Sequence, residues 1–174
     1  KLLVGKLDAL GGRVTRARKL RIGYFAQHQL DELHADETPL EHLRRVLPED
    51  TPAKLRARLA GFGLTADQAD TVAARLSGGQ KARLSLLLAT WDAPHLLILD
   101  EPTNAMDNTT EELFKNKLSQ TIENKTLLLV THRASLLSLV DRVIVMDSGR
   151  IIADGSKENV LMALKHGQIR VQNS

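Results

Sequence analysis

Leu96-Leu97-Ile98-Leu99 runs directly into Asp100-Glu101-Pro102. An unbroken apolar run this short, with no polar alternation, suits a strand covered on both faces, the habit of parallel sheets. Such strands present ligand-handling groups just beyond their carboxyl ends. Asp100 and Glu101 are therefore candidate acids at the rim of a sheet. Upstream, one helix-length stretch earlier, stands Leu76-Ser77-Gly78-Gly79-Gln80. Ser77 is a good N-cap. Gly78 and Gly79 leave their amides unobstructed, and the dipole at a helix start favours an anion. A phosphate-type site at a helix start, followed by a buried strand delivering carboxylates, points to an α/β fold.

Leu-Ser-Gly-Gly-Gln resembles the signature motif of ATP-binding cassette (ABC) proteins, and Leu-Leu-Ile-Leu-Asp-Glu-Pro resembles the ABC form of the Walker B motif. Their order and spacing together carry the resemblance, which extends over effectively the whole chain. It implies an α/β fold, a P-loop NTPase cassette with a mostly parallel sheet and a helical subdomain. It also implies ATP and Mg²⁺ as cofactors. By the same resemblance Asp100 holds Mg²⁺ through water and Glu101 orients the attacking water. Leu20 to Gln27 looks like the strand leading into the Q-loop, which would put Gln27 beside Mg²⁺ and that water. Pro102 to Asp107 occupies the D-loop position. His132, directly after the apolar run Thr126 to Val130, matches the switch histidine near the γ-phosphate. Glu101 and His132 are thus the implied catalytic pair. Gln27, Ser77, Gly78, Gly79, Gln80 and Asp107 are the implied nucleotide contacts, and Gln27 and Asp100 the implied metal contacts.

The phosphate loop of such cassettes, G-x-x-x-x-G-K-[ST], cradles phosphates with backbone amides and a lysine. These residues do not contain it: Gly5, Gly11 and Gly12 precede no Gly-Lys-Ser/Thr. Lys1 to Leu7 reads as the tail of a helix already under way, so the expectation is a single partial cassette, 1–174, lacking its Walker A part. In that division 38–92 is the helical subdomain with the signature motif, and 1–37 and 93–174 are the remainder of the catalytic core.

Bulk properties agree with one globular domain. The chain has 174 residues, 43% of them hydrophobic, which argues against disorder. A net charge of +3 mildly favours acidic partners such as nucleotide, RNA or anionic lipid. Cysteine is absent, which excludes disulfides and thiolate metal sites. No apolar run approaches the roughly 18 residues of a membrane span, and no signal peptide opens the chain. The expectation is a cytoplasmic protein, whose work at a membrane would need spanning segments from elsewhere.

The remaining stretches read locally. Arg13 to Arg21 is either a solvated strand pair or a basic patch for RNA phosphate, with too few aromatics to stack bases. Thr38-Pro39-Leu40-Glu41 and Thr51-Pro52 start helices. Their inward residues are Leu40 and Leu43 in the first and Leu55 and Leu59 in the second. Gly61-Phe62-Gly63 breaks the second. The signature helix runs from about Gly78 to Trp91, with Trp91 in the core. Asn108 caps a helix with Phe114, Leu118 and Ile122 on one face. Thr126 to Val130 is a short buried strand. Val143–Met146 and Ile151–Ala153 flank a Ser148-Gly149 turn. Ser156 caps a last helix ended by Gly167. His28, His34 and His166 read as surface residues.

Up to about Asn104 the wording resembles the ABC-F class, soluble tandem cassettes that commonly act on ribosomes. From Met106 to Gly155 it resembles the cassettes of ABC exporters, especially those of type I secretion. Both resemblances imply ATP hydrolysis driving conformational change, with a second cassette as head-to-tail partner. The first adds ribosome or RNA, the second membrane-spanning domains. A third reading is a module that hydrolyses nothing alone and donates Leu76 to Gln80 to an intact partner. Exposed sheet edges and a tendency to aggregate are expected of the isolated residues.

Overall fold

The computed structural model describes residues 2–26, 33–104 and 106–168. They form two compact units, Lys1–Val130 and Thr131–Ser174. Gln27 and His28 lie outside the described residues.

The first unit is built on a parallel sheet of three strands, β1 (Ile22–Ala26), β2 (Leu96–Asp100) and β3 (Thr126–Val130), in that spatial order. Ala26 pairs with Asp100 and Asp100 with Val130, so the three carboxyl ends are level. Because side chains alternate across a strand, Gly23, Phe25, Leu97 and Leu99 share one face, and all are buried. Two helices cover it. α4 (Gly78–Thr90) crosses β1, and α5 (Asn108–Thr121) brings Phe114 onto Phe25, ring centroids 6.3 Å apart. On the opposite face Ile98 is buried, but Leu128 is 38% and Val130 50% exposed. The 126–130 segment is therefore a strand as expected, but not a buried one. Among the described residues nothing pairs its outer edge, and its outward face is uncovered.

Between β1 and β2 lies a helical layer with its own leucine core. It comprises α1 (Pro39–Val46), α2 (Pro52–Gly61), the short α3 (Ala66–Ala69) and the start of α4. Leu40, Leu43, Leu55, Leu59, Leu64, Leu76, Leu84 and Leu87 close this core. Thr38 and Glu41 cap α1 reciprocally: the Glu41 carboxylate accepts the Thr38 amide at 2.7 Å, and the Thr38 hydroxyl accepts the Glu41 amide at 3.3 Å. The Thr38 amide first, and the Thr38 hydroxyl donating to the same carboxylate at 2.9 Å second, hold the Glu41 carboxyl below its ordinary range. Thr51 caps α2, and Arg56 grips Asp70 with two bonds of 2.8 Å.

Several local expectations are corrected. Of Lys1 to Leu7, the described part holds a 3-10 turn, Leu2–Val4, with no buried residue, closed by Gly5 at φ 75°. Arg13 to Arg21 contains no strand. It is exposed and irregular, because its closely spaced charges leave no apolar face to dock. Trp91 is not core. It is the C-cap of α4 and 38% exposed, because the buried face of that helix ends at Thr90. Asn108 does not cap α5; Asp107 does, and Asn108 is the first helical residue.

The second unit contains an antiparallel hairpin, β4 (Arg142–Asp147) and β5 (Arg150–Ser156), joined at Ser148-Gly149. Arg142 donates two bonds of 2.7 Å to Asp154 across it. α6 (Lys157–Lys165) is capped by Ser156 and buries Val160 against the hairpin. His166, exposed, is its C-cap.

Candidate functional site

Two helix starts and one strand end carry most of the implied site residues. At the first helix start the Ser77 hydroxyl accepts the Gln80 amide at 3.3 Å, and the Gln80 side-chain oxygen accepts the Ser77 amide at 2.8 Å. This capping box turns Gln80 back onto its own helix. Ser77 is exposed and Gly79 buried. Four residues along from Gly79, burial pushes the Arg83 pKa down, and its Nε has no hydrogen-bond partner among the described residues.

At the second helix start Asp107 caps α5. Its Oδ1 accepts the Thr110 amide at 2.8 Å and its Oδ2 the Thr110 hydroxyl at 3.0 Å. The Thr110 amide first, and its hydroxyl second, hold the Asp107 carboxyl below the ordinary aspartate range. The two helix starts touch. A side chain at Gly79 would run into the Thr110 methyl at well under 3.0 Å, so α4 and α5 approach as closely as a glycine allows.

At the strand end, Asp100 closes β2 level with the last residues of β1 and β3. Glu101 then turns the chain in the left-handed region, φ 49°, its amide donating to the Val130 carbonyl at 2.9 Å. For a non-glycine residue that conformation costs on the order of 1 kcal/mol, and such strain clusters at sites of function. The turn places Glu101 directly at the carboxyl rim of the sheet. His132 belongs to the second unit, where it is exposed. Gln27 follows Ala26 and lies outside the described residues.

Among the described residues no group of three or more His, Asp or Glu side chains is set to hold a metal. Mg²⁺ does not require one, since it keeps most of its waters and binds through one or two carboxylates plus phosphate oxygens. Carboxylates at the rim of a parallel sheet fit that donor set. Among the described residues no helix is long and apolar enough to cross a membrane.

A family model described as "ABC transporter" matches residues 1–104. The chain belongs to this family. Relatives named as F type are among the proteins it is similar to. The chain is 44% identical over 137 residues, 79% of its length, to "Probable ATP-binding protein YheS" of Escherichia coli. It is 38% identical over 156 residues, 90% of its length, to "Probable ATP-binding cassette sub-family F member 3 homolog" of Encephalitozoon cuniculi. A match that long runs past Asn104 into the part whose wording resembles exporter cassettes. The chain spans about a fifth to a quarter of these relatives, 21% and 26% of their lengths. Among solved structures, "Dimeric Structure of MJ0796, a Bacterial ABC Transporter Cassette" superposes with a TM-score of 0.67 at 26% identity. That match covers 80% of this chain and 64% of the cassette. This ABC chain is therefore an ATP-binding cassette module of the F type, with the α/β cassette fold; ATP with Mg²⁺ is the general ligand of its family.

Thr110, Arg83 and His42 were not singled out by sequence reasoning. Thr110 had a usable signal, since it stands three residues after an Asp that can cap. The partial burial of Arg83 and the bond from the His34 amide to His42 depend on neighbours that no local pattern reveals.

Proposed function

We propose that this cassette module contributes one half of a nucleotide site shared by two head-to-tail cassettes, and that the complete protein hydrolyses ATP there. The observation that carries this is the rim of the sheet: Asp100 and Glu101 at the carboxyl end of the central strand, with Glu101 held at φ 49° by the turn. Asp100 would hold the hydrated Mg²⁺, together with Gln27. Glu101 would accept a hydrogen bond from the attacking water and orient it. His132 would reach the γ-phosphate region. The bound Mg²⁺–nucleotide supplies the phosphoryl group and charge neutralisation. The residues supply position and electrostatics, which dominate in this class of reaction.

Ser77, Gly78, Gly79 and Gln80 would serve the neighbouring cassette's nucleotide, with Asp107 at the seam between the two. As these 174 residues contain no G-x-x-x-x-G-K-[ST], in isolation they act as a donor of that helix start and not as a hydrolase. The F-type resemblance adds the ribosome as partner and the cytoplasm as location.

The test is Glu101→Gln in the full-length protein. A glutamine keeps the size but accepts the water's proton poorly, so turnover should fall by about a hundredfold or more while ATP binding changes little. Equal loss of binding and turnover would show that Glu101 is a structural residue. Absence of nucleotide-dependent co-sedimentation with ribosomes would count against the proposed partner.

A further inference from the structure

We infer that Thr110 is a positioning residue that ties the signature helix to the D-loop, so that Gly79 acts on the site through the Thr110 rotamer. This rests on the proposed reading of Ser77–Gln80 and Asp107 as parts of a nucleotide site.

Three facts meet at one side chain. The Thr110 amide and hydroxyl both donate to Asp107, at 2.8 and 3.0 Å. Its methyl faces Gly79, where a Cβ would lie well under 3.0 Å from Cγ2 but 3.3 Å from Cβ and 3.5 Å from Oγ1. Gly79 itself is buried. Hydroxyl and methyl sit on one β-carbon, and a β-branched side chain has few χ1 choices. The methyl can therefore retreat from α4 only by a rotation that also withdraws the hydroxyl from Asp107. Pressure from the signature helix and the grip on Asp107 become alternatives. A glycine at 79 leaves both satisfied. The requirement for glycine there is thus a matter of helix–helix distance, carried from α4 to the residue that caps α5.

The geometry separates the two groups cleanly by substitution. Thr110→Ser deletes the methyl and keeps the hydroxyl. Gly79→Ala adds the methyl that collides. The experiment uses the full-length protein with four forms: wild type, Gly79→Ala, Thr110→Ser, and both together. Two readouts are taken, steady-state ATP hydrolysis and the NMR titration of the Asp107 carboxyl.

With Thr110 in place, Gly79→Ala should lower kcat by about tenfold, the kinetic equivalent of a modest overpacking penalty. It should also move the Asp107 titration upward, toward an ordinary aspartate, as the hydroxyl is lost. In the Thr110→Ser background the same alanine should cost at most about twofold and leave the Asp107 titration in place. If Gly79→Ala is as damaging with the Thr110→Ser change as without it, and the Asp107 titration moves in none of the four forms, the coupling is overturned. If Glu101→Gln leaves hydrolysis intact, the site reading has failed; the titrations then decide the Gly79–Thr110–Asp107 link by themselves.

Discussion

Gly23 of β1 lies directly under the carbonyl of Ala89 in α4. A Cβ there would collide with that oxygen at well under 3.0 Å, with Leu97 Cδ1 at 2.9 Å and Pro94 Cγ at 3.0 Å behind it. The helix can rest on the sheet only because this position has no side chain. Two of the three atoms in the way belong to the ends of side chains, but the nearest is backbone and cannot step aside.

Gly23→Ala is therefore expected to destabilise, although alanine is ordinarily the better residue in a strand. The overpacking penalty is about 1–3 kcal/mol. Urea unfolding should show the midpoint falling with an unchanged slope. A midpoint at or above wild type would mean that α4 is not seated on β1 as described.

His42 gives a second case. It is buried, its Nε2 accepts the His34 amide at 3.0 Å, and its Nδ1 donates to the Thr38 carbonyl at 2.9 Å. Arg45, one turn along α1, contacts both His34 and Glu37. The imidazole thus pins the segment before α1 onto the helix. His42→Ala should cost about 2 kcal/mol, mostly through the amide left unpaired and the hole beside it. His42→Gln, whose side-chain oxygen can still accept the His34 amide, should recover part of it. Equal losses for both variants would show that neither volume nor an acceptor oxygen suffices and that the imidazole ring itself is required.

Much of this architecture is legible locally. Thr38, Thr51, Ser77 and Ser156 each announce a helix start, because a cap needs only its own next turn. Leu96 to Asp100 announces a parallel strand for a similar reason: continuity of apolar residues is visible in one glance at the chain. What the sequence hid is non-local. Asp107 and Asn108 are both able to cap. The choice fell on Asp107, whose preceding residue Met106 is buried and donates its amide to the Thr103 carbonyl at 3.0 Å. The apolar run Leu127-Leu128-Leu129 looks like Leu96 to Leu99, yet its exposure depends on neighbours that no residue of its own specifies. The roles of Gly23 and Gly79 depend on atoms of other elements altogether.

Acid should uncouple the α5 cap. Asp107 has its carboxyl held below the ordinary aspartate value of 3.8, so folding is favoured by its ionisation above that value. That contribution is lost as the pH falls through the depressed folded-state value. An Asp107→Asn variant keeps a capping oxygen but has no proton to exchange. It should be less stable than wild type near pH 7, and the gap should narrow below about pH 4. Denaturation series at several pH values measure this. A gap independent of pH would show that the cap works by hydrogen-bond geometry and not by charge.

The exposed side of β3 yields the last prediction. Thr126, Leu128 and Val130 point away from α4 and α5, and Leu128 and Val130 are large, apolar and substantially exposed. The outer backbone edge of the same strand is unpaired among the described residues. An edge strand with an apolar face is a template for another chain. In the isolated 174 residues, self-association should therefore start at this strand. Leu128→Lys places a charge on the outward face without touching Leu127 or Leu129, which pack inward. It should raise the concentration at which light scattering begins, while the stability stays within about 0.5 kcal/mol of wild type, as for surface changes generally. The same change at Leu113, exposed on α5, is the control, because a helix face offers no backbone edge. Equal benefit at both positions would make net charge the cause, and equal failure would move the association surface off β3.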